Sequence, residues 1–228
     1  MHNEFFRTFA GDLNHATMTK AFVTVILVLV TLSCQAQTMK EIFSELPDSV
    51  LPTLTRNDRL DCIDFIENNL TNEVNNALDG KTRLTALTDN LAKVQVSKRT
   101  ELQICKLPLD GGYVICLIHS SNIGAWDSTI RFYDSKWKLL DSNSLIRLPE
   151  TKDFIVRADS LDDSEYVNII NKAGVPLVRA DFEGTTLTLS YTSSNHADQD
   201  FQTQVLTYVK PEIRFKWDAD KPGFTREQ

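Results

Sequence analysis

The sequence contains little of what metal, thiol and nucleotide chemistry requires. It has four histidines and four cysteines among 228 residues. The histidines His119 and His196 lack the spacing of a zinc pair, and no CxxC motif occurs. A glycine-rich phosphate loop and a GxSxG nucleophile elbow are also missing. We therefore predict no metal and no cofactor, and the sequence favours a protein that is not an enzyme.

Positive charge is scarce as well. The 24 lysines and arginines are outnumbered by 31 aspartates and glutamates, which gives a net charge of −7. No basic stripe is present to attract a phosphate backbone or an anionic membrane surface. The composition thus argues against nucleic acid as a partner.

No hydrophobic run is long enough to cross a membrane. The longest, Ala21–Leu32, has about 12 residues, where a spanning helix needs roughly 20. Lys20 precedes it and Cys34–Ala36 follow it, which is the three-part layout of a secretory signal peptide. We expect cleavage between Ala36 and Gln37 and no transmembrane span.

Residues 1–36 are expected to be a leader and signal peptide that take no part in the fold. Glu4 and Asp12 are acidic where a signal peptide has a basic start, so the predicted translation start is Met18. Cys34 leaves an alternative open, because lipidation there would make the chain an outer-membrane lipoprotein. Against that alternative, Leu32 stands one place too late for the usual lipoprotein motif.

The mature chain, 37–228, has the length of a single domain. Its apolar residues first recur at steps of three and four, then at steps of two, and the end alternates helix, hairpin, helix and strand. This order predicts an α+β fold in which a mainly antiparallel sheet packs against two to four helices. Because helices precede strands twice, the domain could consist of two related halves dividing near residue 150.

The clearest helical pattern extends from Arg56 to Gly80. Asn57 or Asp58 can cap its start, and Gly80 is typical of a helix end. Its apolar stripe consists of Ile63, Ile66, Leu70, Val74 and Leu78. Further helices are predicted near 39–46, 160–174 and 196–209.

A hairpin turn is predicted at Asp110-Gly111, which suits a type I′ turn between two strands. In this register Cys105 faces Cys116, with their Cα atoms about 5.5 Å apart. That separation permits a disulfide. The alternative is a pair of reduced core cysteines packed side by side.

Two other groups of residues could carry chemistry. Cys62 lies between Asp61 and Asp64, and acidic neighbours oppose the thiolate that a nucleophile needs, so a buried structural cysteine is the better interpretation. Acidic pairs such as Asp162-Asp163 and Asp218/Asp220 could serve a carboxylate-dependent hydrolase. On a chain this acidic, a solvated surface is the competing interpretation.

Three tripeptides resemble the Asp-Ser/Thr-hydrophobic sites at which some gut anaerobes attach O-glycans to exported proteins. They are Asp48-Ser49-Val50, Asp127-Ser128-Thr129 and Asp159-Ser160-Leu161. The resemblance implies Ser49, Ser128 and Ser160 as candidate O-glycosylation sites, although composition alone would give about one such match.

Four short stretches near the start of the mature chain form a recognisable set. They are "QTMK" at Gln37–Lys40, "PDS" at Pro47–Ser49, "RLDCIDF" at Arg59–Phe65 and "LDGK" at Leu78–Lys81. In these stretches the chain resembles an uncharacterised exported family, a domain of unknown function, from gut-dwelling Gram-negative anaerobes. The resemblance implies an extracytoplasmic location and no established activity. It supplies no functional residues.

The sequence therefore favours a non-catalytic binding or structural module in the periplasm or envelope, or a secreted one. Its partner would be an envelope protein, a glycan or a lipid. The alternatives are the carboxylate-dependent hydrolase and the lipoprotein anchored at Cys34.

Mass spectrometry of the mature N-terminus tests the leader. We expect the exported chain to begin at Gln37, because the small residue Ala36 precedes the predicted cut. A chain that begins at an acylated Cys34 would establish the lipoprotein alternative. An intact chain that starts at Met1 in a cytosolic extract would contradict export itself.

Overall fold

Secondary structure is described here for residues 37–193 and 204–227, from a computed structural model. Within these ranges the helices are α1 Met39–Ser44, α2 Arg56–Glu67, α3 Thr151–Phe154 and α4 Asp163–Ala173. The first six strands are β1 Val74–Asn75, β2 Lys81–Leu87, β3 Leu91–Ser97, β4 Thr100–Leu109, β5 Gly112–Asn122 and β6 Trp126–Tyr133. The last four are β7 Val178–Glu183, β8 Thr186–Tyr191, β9 Glu212–Asp218 and β10 Gly223–Arg226.

Each strand pairs only with its neighbours in the sequence. β1 to β6 form a six-stranded antiparallel sheet in chain order, and β7 to β10 form a four-stranded antiparallel sheet in the same way. The predicted α+β class with antiparallel strands is confirmed. The strands make two sheets, however, where the sequence predicted one.

The first sheet is covered on both faces. On one face, residues of α1, α2 and their connecting loop pack against alternate residues of β2 to β5, among them Leu102, Ile104, Ile115 and Leu117. On the other face, Cys105, Leu107, Cys116, Ile118 and Phe132 pack against the second sheet. The run Val114–Ile118 is buried throughout because its side chains alternate between these two cores. The described residues thus form three layers of helix, sheet and sheet.

Strand β7 is an edge strand whose outward backbone groups bond to side chains of the first sheet. The N–H groups of Ala180 and Phe182 donate to Ser128 Oγ at 2.9 Å and to Gln103 Oε1 at 3.0 Å. Gln103 Nε2 donates back to the Ala180 carbonyl at 3.2 Å. A buried backbone N–H without a partner is costly, so these side chains take the place of a neighbouring strand.

Strand β7 also runs across the strands of the first sheet. Its first residue, Val178, donates its N–H to Asp127 of β6 at 3.4 Å, whereas Asp181 accepts from Lys93 of β3 at 2.7 Å. β6 and β3 are three strands apart, which is roughly 14 Å, and three residues of β7 cover roughly 10 Å. The two sheets therefore cross at a large angle in this region.

The predicted helix from Arg56 to Gly80 is correct only as far as Glu67. Its N-cap is Thr55, whose hydroxyl accepts from the Asp58 N–H at 3.3 Å, so Asp58 is the third helical residue and not the cap. Asn69 adopts a φ of 54°, and the Leu70 N–H donates to the Phe65 carbonyl at 2.8 Å. This left-handed asparagine closes the helix in a Schellman motif.

The remaining part of that prediction is wrong because Asn76 forms local hydrogen bonds that compete with a helix. Its Oδ1 accepts from the N–H groups of Leu78 and Gly80, both at 3.0 Å, and its Nδ2 donates to Thr82 Oγ1 at 3.0 Å. The side chain thereby builds the turn between β1 and β2. Leu78, predicted to lie on the apolar stripe, is 77% exposed.

The register of the β4–β5 hairpin is confirmed, but its turn type is not. Leu109 pairs with Gly112, and Cys105 pairs with Cys116. Positive φ occurs at Gly111, with 72°, and not at Asp110. A type II turn fits this pattern, whereas the predicted type I′ turn needs positive φ at both residues.

The other helix predictions have mixed outcomes. α1 confirms the helix near 39–46, and α4 confirms the helix near 160–174, with Asp162 as N-cap and Gly174 as C-cap. Of the helix predicted at 196–209, residues 196–203 lie outside the described residues. The rest includes a 3₁₀ turn, Leu206–Tyr208.

The described residues from Thr38 onward belong to one compact unit. The first sheet ends at Tyr133 and the second begins at Val178, so the predicted division near residue 150 falls between the sheets. That the two parts are related stays a prediction.

The Gln103 amide is testable by substitution. We expect Gln103→Leu to lower the free energy of unfolding by about 3 kcal/mol, because it leaves the Phe182 N–H and the Ala180 carbonyl buried without a partner. Denaturant unfolding monitored by circular dichroism measures the change. Gln95→Leu is the matched control, since half-buried Gln95 accepts one bond from Arg83 and should cost less than about 1 kcal/mol. Equal losses in both variants would contradict a special role for Gln103.

Candidate functional site

The three cysteines among the described residues are buried thiols that resist ionisation. Burial raises the pKa of Cys62 to about 11, and the nearby acids Asp58 and Asp61 add to the rise. Burial also raises the pKa of Cys105 to about 12 and that of Cys116 well above its ordinary value. A nucleophile needs the thiolate, so none of the three is poised to act as one.

Cys105 and Cys116 are both free thiols in the structure, directly opposite each other on β4 and β5. The Cys105 thiol donates to the Gly184 carbonyl at 3.7 Å. Their facing positions satisfy the geometry on which the disulfide prediction rests. The disulfide itself stays a prediction.

Cys62 and His119 do not form a nucleophile and base. Cys62, on α2, hydrogen-bonds to the backbone of Leu84 on β2, whereas His119 is on β5. These strands are three positions apart in the sheet, which is roughly 14 Å. Proton transfer between the two side chains would need hydrogen-bond distance.

The acidic pairs considered for hydrolysis have structural roles. Asp162 Oδ1 accepts the Glu165 N–H at 2.8 Å and caps α4, while Asp163 is paired with Arg157. Asp218 Oδ1 accepts from the N–H groups of Asp220 and Lys221 at 2.9 and 3.1 Å. These carboxylates therefore stabilise a helix cap, an ion pair and a turn. They are not arranged as two carboxylates that face one substrate bond.

The residues predicted for processing and modification have different surroundings. Cys34 and Ala36 lie outside the described residues, and Gln37 is exposed. Ser49 and Ser160 are also exposed. The Ser128 hydroxyl lies 2.7 Å from Ser120 Oγ and accepts the Ala180 N–H, so a glycan there would have to break the junction between the sheets. O-glycosylation at all three serines stays a prediction.

A cleft of about 250 Å³ lies on the helix-side face of the first sheet, between β4 to β6 and the loop that joins α1 to α2. We call it the β6 cleft. It is lined by Ser49, Val50, Leu102, Leu117, His119, Thr129, Arg131 and Tyr133. One small volume is thus bordered by a guanidinium, an imidazole and three hydroxyl groups. Its floor is apolar. Its size is just below the roughly 300–1,000 Å³ of drug-sized ligand pockets.

One wall of the β6 cleft is fixed by a buried arginine. Arg59, which is 2% exposed, donates Nε to the Ser44 carbonyl at 3.1 Å and NH1 to the Leu54 carbonyl at 2.8 Å. NH1 also lies 3.4 Å from Asp48 Oδ1. These bonds hold both ends of the loop that carries Ser49 and Val50. The wall is therefore preformed.

The opposite wall is the exposed edge of β6. Thr129 pairs with His119, and its hydroxyl donates to the His119 carbonyl at 3.5 Å. The Tyr133 ring packs against the Trp137 ring, with ring centroids 5.5 Å apart. Partial burial lowers the pKa of His119 below its usual value, and the positive charge of Arg131 lowers it further. At neutral pH the imidazole is thus uncharged and Arg131 supplies the positive charge.

Sequence reasoning missed this site although a signal for it exists. In the strand "WDSTIRFY" the residues Asp127, Thr129, Arg131 and Tyr133 alternate with Ser128, Ile130 and Phe132. Period-two alternation places the first set on one face. The sequence does not reveal that the loop of Ser49, about 80 residues away along the chain, lies beside this strand.

A second cleft, of about 230 Å³, lies beside β7 and is filled with compensated charges. Lys93 is 2.7 Å from Asp181, and Arg179 is 2.7 Å from Glu101. The Arg179 guanidinium also lies over the Trp126 ring, 4.6 Å from its centroid. Because these cations already have partners, we regard the second cleft as part of the junction between the sheets.

Two further findings concern residues 37–193 and 204–227 alone. Over these ranges, no three or more histidine, cysteine, aspartate or glutamate side chains are grouped so that they could hold a metal ion. No helix there has both the length and the apolar character needed to cross a membrane.

Fold and cleft together define an α+β protein with two crossed antiparallel sheets and a small basic cleft. The chain belongs to the family described as "Protein of unknown function (DUF3256)", whose sequence model matches residues 31–221. The resemblance to a family of unknown function is confirmed at this level. No curated protein matched the sequence.

Among solved structures, a similar fold covers most of the chain. It is that of a domain of an uncharacterised protein from Porphyromonas gingivalis W83, with a TM-score of 0.70 and 21% sequence identity. The match covers 85% of this chain and 99% of that chain. At this identity the likeness shows a shared fold.

Thiol reactivity tests the description of the cysteines. At pH 8 a thiol with a pKa of about 11 is only about 0.1% thiolate, so we expect iodoacetamide to modify the native protein negligibly within an hour. The same protein in guanidinium should be alkylated at every reduced cysteine, as mass spectrometry would show. Rapid native labelling of Cys62 would contradict its burial.

The cysteines should also make stability depend on pH. Since the folded-state pKa values exceed the ordinary value of 9.0, the free energy of unfolding should fall as the pH rises from about 9 towards 11 or 12.

Proposed function

We propose that the chain is an exported, non-catalytic binding module whose ligand occupies the β6 cleft. The observation that carries the proposal is the convergence of Arg131, His119 and three hydroxyl groups on a preformed cleft. Concave sites with an apolar floor and a few directed polar groups are where proteins usually bind small molecules. Export is supported by the signal-peptide layout of residues 18–36.

A binding role is favoured over catalysis by the state of the reactive groups. The buried thiols have raised pKa values, and the acidic pairs of the hydrolase alternative cap a helix or close a turn. The cleft itself is lined by one imidazole, His119, and one phenol, Tyr133, but by no carboxylate. The carboxylate-dependent hydrolysis considered above needs two carboxyl groups at the reacting bond.

The cleft can be blocked without disturbing the core. Thr129 is exposed on β6, and we expect Thr129→Phe to fill the space beside Arg131 while the fold is kept. Thr225→Phe is a matched control, because exposed Thr225 on β10 makes the same cross-strand bond, from its hydroxyl to the Lys216 carbonyl at 3.4 Å. Two-dimensional NMR of the labelled mature chain would report both folding and binding.

The experiment titrates a fragment library of acids, amines, neutral sugars and apolar rings. We expect a subset to shift the amide signals of His119, Thr129 and Arg131, in the unaltered protein and in Thr225→Phe but not in Thr129→Phe. If no fragment class perturbs these signals, the binding proposal fails. If the same samples show a fragment ester or glycoside being cleaved, the hydrolase alternative replaces it.

A further inference from the structure

Building on the binding role above, we propose that the β6 cleft binds a small organic anion that carries a single carboxylate on a compact, largely apolar or ring-shaped body. This proposal names the class of ligand and goes beyond the existence of a binding site. Three properties of the cleft lead to it: the pairing of its charges, the protonation of His119, and the chemistry of its floor.

The Arg131 guanidinium has no hydrogen-bond or ion-pair partner in the part of the chain that the structure describes. Its neighbour His119 repels it when protonated. The two acids nearest to it along the chain are already engaged. Asp134 accepts the N–H groups of Lys136 and Lys138 at 2.8 and 3.0 Å, and Asp127 accepts the Val178 N–H at 3.4 Å. A planar fork of five donors is thus left open to solvent, and carboxylates and phosphates are the groups that fit it.

The charge of the ligand follows from His119. Because the pKa of this imidazole is lowered, it is neutral at pH 7 and can donate or accept one hydrogen bond. The cleft then holds one positive charge, from Arg131, with no lining acid to offset it. A singly charged carboxylate balances this charge, whereas a phosphate dianion would leave the cleft with a net negative charge.

The body of the ligand follows from the floor and walls. Leu102, Leu117 and Val50 form apolar surface, and the Tyr133 ring borders it. The hydroxyls of Ser49, Thr129 and Tyr133 can bond to oxygens around such a body. A volume of about 250 Å³ accommodates a ring compound of modest size.

The first test compares matched probes by calorimetry and NMR. We expect cyclohexanecarboxylate to bind with a dissociation constant of about 1 mM, which is typical of weak binding by a very small ligand. The neutral analogue cyclohexylmethanol should bind about tenfold more weakly, since it cannot form the charge-assisted pair. D-Glucuronate and D-glucose form a second matched pair, which tests a hydroxylated body.

Variants identify the group that recognises the carboxylate. Arg131→Met should weaken carboxylate binding about tenfold and leave binding of the neutral analogue unchanged. Arg147→Met is the control, because Arg147 is exposed after the 3₁₀ turn Ser142–Ser144 and does not line the cleft. Both variants remove one exposed arginine and should unfold at the same denaturant concentration as the unaltered protein.

Binding should also depend on pH through His119. Lowering the pH from about 7.5 to about 5.5 raises the protonated fraction of this imidazole and should tighten carboxylate binding, while the ligand stays ionised. The gain should be smaller than an unshifted histidine would give, because burial and the charge of Arg131 lower the pKa of His119. The other charged or titratable groups around it are Arg131 and Tyr133 in the cleft, Asp127 on β6 and Asp48 on the loop. His119→Gln should bind the carboxylate at either pH with equal affinity.

Three outcomes would overturn the assignment. Equal affinity for the acid and its neutral analogue would show that the cleft does not recognise a carboxylate, although it would still be a binding cleft. Unchanged binding in Arg131→Met would show that the anion is held elsewhere. Absence of any shift in the signals of His119, Thr129 and Arg131 at about 10 mM of every probe would reject both the anion and the binding role of the cleft.

Discussion

The structure depends on the hydrogen bonds that the outer edge of β7 forms with side chains of the first sheet. An edge strand normally presents a row of free N–H and C=O groups, and here Gln103, Ser128 and Asp127 of the first sheet bond to those groups directly. The amide of Gln103 serves as both donor and acceptor, which no apolar side chain of its size can do. This contact fixes where the second sheet crosses the first, and so which face of the first sheet remains for the helices.

The division of the first sheet explains why a cleft exists on β6. The second sheet covers the face that carries Cys116 and Phe132, while α1 and α2 cover the opposite face mainly over β2 to β5. The helix-side face of β6 is left with polar residues, Asp127, Thr129 and Arg131. Val50 and Ser49 then close the space from the side, because Arg59 holds their loop in place.

Local patterns predicted much of this from the sequence. Turn residues at Asp110-Gly111 set a register that placed Cys105 opposite Cys116, since pairing in a hairpin follows from the turn alone. The same reasoning failed for Arg56 to Gly80, because a stripe of apolar residues does not reveal that Asn76 bonds to its own backbone neighbours. From the sequence, His119 was considered as a metal ligand and as a possible partner of Cys62. Its partners in the cleft come from β6 and from the Ser49 loop, and the sequence carries no signal for a contact over that distance.

The connectivity has a consequence for how the chain reaches its native state. Within the described residues, every strand pairs with strands that neighbour it in the sequence. Each sheet can therefore form from local contacts, which favours fast folding. Gln103 and Phe182, by contrast, are 79 positions apart, and their meeting has to await closure of a long loop. Until then β7 is an unprotected edge on an emerging chain, and in that interval the protein is open to mispairing with other copies of itself.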